Sequence, residues 1–182
     1  MSPRKLHALT LAIALVFGLA AVAWADHHGH GRKERRDRYE QEAVPPVNNA
    51  LYKQTCGGCH MAYQPGLLPS GSWREIIAGL GDHFGQDISP DDADKATILA
   101  YLEANSAERS PSKRSRKIMD CLGGATPPRI SEVPYIVRQH EEIRPGDYKD
   151  AQGQPLTPAN CAACHTTAEQ GVYDDDNVRL PR

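Results

Sequence analysis

The chain has 182 residues, of which 24% are charged and only 6% aromatic, with a formal net charge of −2 at pH 7. That length suits one or two small domains, and so few aromatics make a thin core that a metal, disulfide or cofactor would supplement. The near-neutral balance gives no overall case for nucleic-acid binding.

Arg4 and Lys5 precede an apolar run, Leu11 to Ala25, that ends in Ala23-Trp24-Ala25. The short run, basic flank and small-x-small end predict a signal peptide over 1–25, cleaved before Asp26, and hence export to the periplasm. The run is short for a membrane span, so the mature protein is not expected to cross a membrane. Residues 26–46 are charged and almost free of apolar side chains, which predicts a flexible tail closed by Pro45-Pro46. A mature start at Asp26-His27-His28 would also offer a nitrogen-rich site for copper or nickel.

Val47 to Cys59 can be a helix, followed by the Pro/Gly-rich loop QPGLLPSG. Ser72 is placed to cap a helix whose apolar face is Trp73, Ile76, Ile77 and Leu80. The clearest helix is SPDDADKATILAYLEAN, with Ser89 as cap, Pro90 at its first position, acids in its first turn and Ile98, Leu99 and Leu102 on its apolar face. The polar, basic stretch SAERSPSKRSRK reads as a linker or exposed helix start, and a short helix runs to Leu122 before Gly123-Gly124. Ser131 can cap a helix containing Val133, Ile136, Val137 and His140. Thr157-Pro158 opens the last predicted helix, which Gly171 ends. No alternating strand pattern occurs, so the expected class is all-α with long irregular loops.

Four of the five cysteines fall in two copies of Cys-x-x-Cys-His: Cys56, Cys59 and His60, then Cys161, Cys164 and His165. This is the attachment sequence for haem c. Two thiols add to the two vinyl groups on one porphyrin edge, and the next histidine reaches the iron as proximal ligand. Gly57-Gly58 and Ala162-Ala163 keep the intervening residues small. A zinc ribbon would space its pairs by about 15–20 residues, whereas these begin 105 apart. A thioredoxin-like site belongs beside a βαβ pattern, which is missing, and plain disulfides leave both histidines unexplained. Two covalent haems are therefore expected, in domains spanning 47–108 and 109–182.

The distal ligands follow from elimination among eight histidines. His7 leaves with the leader, His27, His28 and His30 lie in the tail, and His60 and His165 are proximal. His83 and His140 remain, one after the first signature and one before the second. Methionine is the alternative: Met61 is too close to His60 to reach the opposite face, while Met119 stays open or packs beside Ile118 and Leu122. Two histidines per iron would give low-spin haems suited to outer-sphere electron transfer. A dihaem enzyme of peroxidase type, with one openable iron, is the competing class. Carbonyls of the QPGLLP loop are candidates to orient His60. Cys121 is left over, as a half-buried small residue or an intermolecular disulfide partner. The basic runs GRKERRDR and KRSRK read as solvated segments, with docking of an acidic partner as the sharper option.

The stretches YKQTCGGCHMAYQPGLLPSGSW, LGDHFG, ATILAYLEAN, PPRISEVPYIVRQHEEI and NCAACHTTAEQGVYDDDNVRLP together resemble the small periplasmic dihaem cytochromes c of proteobacteria, the kind that partners the sphaeroides haem protein. The resemblance spans most of the chain from about Leu51 to Pro181. It implies two bis-histidine haem domains, the first similar to class I cytochromes c and the second smaller and less regular. It carries ligand roles to His60, His83, His140 and His165. It also implies electrons received from a membrane cytochrome b and passed to a soluble high-spin monohaem cytochrome.

Overall fold

The computed structural model describes residues 33–144, 146–150 and 153–181. The predicted leader and the tail histidines His27, His28 and His30 lie outside the described residues. The chain divides into two units, Met1–Glu40 and Gln41–Arg182.

Six helices occur among the described residues: α1 (33–42), α2 (Ala50–Cys56), α3 (Ser70–Ala78), α4 (Asp92–Ala104), α5 (Lys113–Leu122) and α6 (Pro134–Gln139), with short 3-10 turns between them. No β-strand is present among these residues; only isolated bridges, Lys149 to Pro155 and His165 to Val178, are made. Within the stretch read as a tail, 33–42 is helical, because its Lys, Arg and Glu are good helix formers and Arg36 pairs with Glu40 at 3.6 Å. The last residues of the stretch, 41–46, belong to the second unit. Val44 is fully buried, Lys117 Nζ meets Glu42 Oε1 at 2.8 Å, and the Ser112 hydroxyl donates to the Glu42 carbonyl at 2.9 Å.

Helix ends differ from the sequence reading wherever a better cap lies next door. α2 starts at Ala50 because Asn49 accepts from the Tyr52 N–H, and it stops at Cys56 because the Gly57 N–H closes on the Lys53 carbonyl. α3 starts at Ser70, so Ser72 is buried inside it rather than capping it. The carboxylate of Glu108 accepts from the Ser70 N–H instead, at 3.0 and 3.2 Å. Asp91, not Ser89, caps α4 by accepting from the Asp94 N–H at 2.8 Å, which leaves Pro90 outside the helix. α5 is capped by Ser112 and ends at Gly123, whose φ of 56° is the left-handed turn-off that favours glycine. α6 starts at Pro134, after a 3-10 turn, and His140 is its terminal cap.

The core lies between α2, α3, α4 and α5. Trp73 and Ile77 of α3, Ile98 and Leu102 of α4 and Ile118 and Leu122 of α5 are buried there, with Leu67, Leu68 and Leu80. Met119 packs against this cluster. Buried polar groups are spent on joining segments: the Trp73 indole N–H donates to the Pro65 carbonyl at 2.8 Å and the Ser115 hydroxyl to the Gly66 carbonyl at 2.7 Å.

Beyond α6 the chain has no further α-helix among the described residues. The second signature lies on a 3-10 turn, Cys161–Ala163, where a helix from Thr157 was expected. No side chain caps that turn, and the His165–Val178 bridge and the Arg179 N–H to Cys164 carbonyl bond (2.8 Å) pull the backbone out of helical register. Gly171 ends the next 3-10 turn at φ 75°. Its carbonyl accepts from the Val44 N–H at 2.9 Å, and a Cβ there would run into the Val44 carbonyl. This clasp ties the chain ahead of the first signature to the chain behind the second.

Candidate haem sites

At the first site, α2 delivers Cys56 on its last residue, and the turn that follows places Cys59 and His60. His83 arrives from the 3-10 turn Leu80–Asp82, anchored by the buried Leu80. The His60 and His83 rings lie 6.4 Å apart, centroid to centroid, at 42°. Next to His83, Phe84 adopts φ 56°, unusual for a bulky residue, and packs its ring on His83 at 4.7 Å. The Arg129 guanidinium lies over the Phe84 ring at 4.1 Å.

At the second site, the end of α6 places His140 and the 3-10 turn places Cys161, Cys164 and His165. The His140 and His165 rings are 5.9 Å apart at 77°. A cavity of about 690 Å³ opens here, lined by Cys161, Cys164, His140, His165, Arg114 and Tyr173 among others. That volume is within the ~300–1,000 Å³ of sites for small organic ligands and cofactors.

Ring separations near 6 Å are what an iron between two imidazoles requires. Metal–imidazole bonds of ~2.0–2.1 Å put two coordinating nitrogens about 4 Å apart, and the ring centres about 2 Å further. Tautomers also fit. His60 Nδ1–H donates to the Met61 carbonyl at 2.7 Å and His140 Nδ1–H to the Ile136 carbonyl at 2.8 Å, which leaves a lone pair on Nε2 of each. The carbonyl that orients His60 is thus its neighbour's, not one from the QPGLLP loop. His165 differs: its Nδ1 is buried with no hydrogen-bond partner. Burial lowers the pKa of both His83 and His165, with the nearby His60 and His140 acting in the same sense, a shift that favours the neutral ring. Burial likewise pushes the Cys56 and Cys161 thiols up to about 11 in the haem-free chain. Among the described residues no three His, Cys, Asp or Glu side chains converge on a bare metal ion. The donor sets suit a porphyrin-borne iron, which needs only axial ligands.

Sequence reading missed the polar connection between the sites. Tyr63 stacks on His60 at 4.5 Å and 19°, and its hydroxyl donates to the Ala159 carbonyl at 2.5 Å, just ahead of the second signature. Gln64 is fully buried; its amide donates to the Ala168 carbonyl at 2.7 Å and accepts from the Tyr173 hydroxyl at 2.5 Å. The Tyr173 ring meets His165 edge-on at 5.4 Å. Neighbouring residues of the first half thus hold both flanks of the second signature. Cys121 is a free thiol beside the Arg138 guanidinium, 2.8 Å from Sγ.

The family model described as dihaem cytochrome c matches residues 52–173. Among solved structures, a diheme cytochrome c from Rhodobacter sphaeroides is 36% identical over 71% of this chain and 99% of its own, with a TM-score of 0.57. A diheme cytochrome type c from Shewanella baltica is 34% identical over 72% of this chain and 92% of its own, with a TM-score of 0.55. No curated protein matches. The chain belongs to the dihaem cytochrome c family, a family of haem-based electron-transfer proteins, and its cofactors are two haem c groups. No helix among the described residues is long and apolar enough to cross a membrane.

Proposed function

We propose that the chain is an exported, bis-histidine electron carrier. Cys56 and Cys59 would hold one haem by thioether bonds, and Cys161 and Cys164 the other. His60 and His165 would be the proximal ligands, and His83 and His140 the distal ones. The observation that carries this reading is the pairing of rings at 6.4 and 5.9 Å, one pair beside each signature. Haem supplies one-electron exchange between ferric and ferrous iron. The carbonyls of Met61 and Ile136 fix ring orientation and free Nε2, while Tyr63, Phe84 and Tyr173 pack against the histidines and limit their movement. With both axial positions filled, neither iron would bind substrate, which favours outer-sphere transfer over peroxidase chemistry.

The reading includes two haem regions, 47–108 and 109–182, a periplasmic location after cleavage before Asp26, a membrane cytochrome b as donor and a soluble high-spin monohaem cytochrome as acceptor. The family resemblance supports the partners, and the leader pattern supports the location. The test is spectroscopic. Two low-spin ferric signals are expected in the intact protein, and His83→Ala or His140→Ala should each turn one haem high-spin. Unchanged low-spin spectra in both variants would refute the ligand assignment. A high-spin signal with peroxide turnover in the unaltered protein would favour the enzyme instead.

A further inference from the structure

α5 places Arg114 in the wall of the second cavity. Its guanidinium lies 6.0 Å from the Tyr135 ring centre and 5.6 Å from that of Tyr173. One Nη donates to the Tyr173 carbonyl at 3.0 Å and the other to the Tyr135 hydroxyl at 3.4 Å, while Nε is buried with no partner. Ion pairs among the described residues do not include Arg114. Arg114 is half-buried, and a guanidinium drawn from water with one N–H unpartnered and no carboxylate beside it costs free energy, so the position calls for a compensating role.

The surroundings indicate one. Tyr173 stands between Arg114 and His165, its ring 5.6 Å from the guanidinium and 5.4 Å from the imidazole. Asp175 lines the same cavity, so charges of both signs face the space beside His165. Reduction of a haem adds one negative charge, which a nearby cation stabilises and a nearby carboxylate opposes. We propose that Arg114 sets the reduction potential of the second haem, offsetting Asp175 in the same cavity wall and keeping that iron reducible. This rests on the reading that His140 and His165 ligate the second iron.

Spectroelectrochemical titration of the full-length, two-haem protein tests it, with wild type, Arg114→Gln and Arg114→Lys compared. R114Q should lower the midpoint of one haem, by about tenfold in its reduction equilibrium, the scale of one charge acting over ~10 Å at an effective dielectric of ~20. R114K keeps the charge and should restore most of the shift, although it cannot rebuild the planar contacts with both tyrosines. Arg114→Met, which keeps an apolar stem against the rings, gives the same reading if R114Q does not load its haem. The affected haem should be the one that His140→Ala turns high-spin. Midpoints unmoved by R114Q or R114M would overturn the proposal, as would an equal fall in R114K, which would mark a packing role. If His140→Ala leaves both haems low-spin, the ligand reading fails, and the proposal falls with it; unmoved midpoints with the high-spin change intact sink the Arg114 role alone.

Discussion

The two haem-bearing halves are built on opposite principles. Around the first signature, α2, α3 and α4 enclose a conventional core in which Trp73, Ile77, Ile98 and Leu102 are buried against one another. After α6, the chain runs through 3-10 turns, and Ala168 is its one buried hydrophobic among the described residues. A stretch with so little apolar surface removed from water cannot offset its ordering entropy alone. Tyr63 and Gln64 of the first half donate bonds to it, and the cofactor is expected to supply the rest. The same signature thus sits once beside a packed helical core and once on a run of 3-10 turns with little core of its own.

The largest expected effect separates the halves by cofactor. In Cys161→Ala/Cys164→Ala, hydrogen exchange over 153–181 should fall to opening free energies near ~0 kcal/mol, the value of frayed segments. Protection in α3 and α4 should persist. Loss of protection in both halves at once would break the comparison. Next in size, Leu102→Ala should destabilise the protein by about 2–5 kcal/mol through the cavity it leaves in the first core, read as a lower urea midpoint with an unchanged slope. Smaller again, Gln64→Leu leaves the Ala168 carbonyl without its buried donor, at a cost of about 1–3 kcal/mol. The second haem's absorbance should respond to urea before the first; coincident transitions would show that the amide is not a joint between the halves.

The smallest effect is electrostatic and belongs to the first half. Burial works to raise the Glu108 carboxyl, but hydrogen bonds from Ser70 and neighbouring groups outweigh it and hold the pKa below the ordinary value. A depressed folded value means stability that is present above the unfolded pKa of ~4.3 and lost as pH falls through the folded one. Because the side chain is exposed, the contribution is under about 1 kcal/mol. Glu108→Gln should flatten the acid limb of the stability profile below about pH 4.3, and an unaltered acid limb in that variant would count against the cap.

The sequence made the covalent chemistry readable because Cys-x-x-Cys-His encodes it locally, within five residues. Counting histidines also picked out the four rings that lie in two close pairs. The α3, α4 and α5 elements were readable from their apolar periods and turn residues, though not their first residues: Glu108 and Asp91 cap where serines were expected, and only the first of these needs a partner 38 residues away. The second signature's helix was misread because its local pattern allows a helix while long-range bonds from Val178 and Arg179 decide otherwise. Tyr63, Gln64 and Tyr173 were invisible for a similar reason. Each looks like an ordinary loop residue until a partner about 100 positions off is known. Arg114 read as part of a solvated basic run because sequence does not show that Tyr135 and Tyr173 close over it.

The Val44–Gly171 clasp bears on how the molecule is made. It joins a residue ahead of Cys56 to one behind His165, so the loop it closes contains both attachment signatures. Closing a loop of that length carries an entropic cost that contacts within either half do not, and pairings of high sequence separation slow folding. A side chain at position 171, which would collide with the Val44 carbonyl, is therefore expected to leave this loop unclosed while both signatures stay intact.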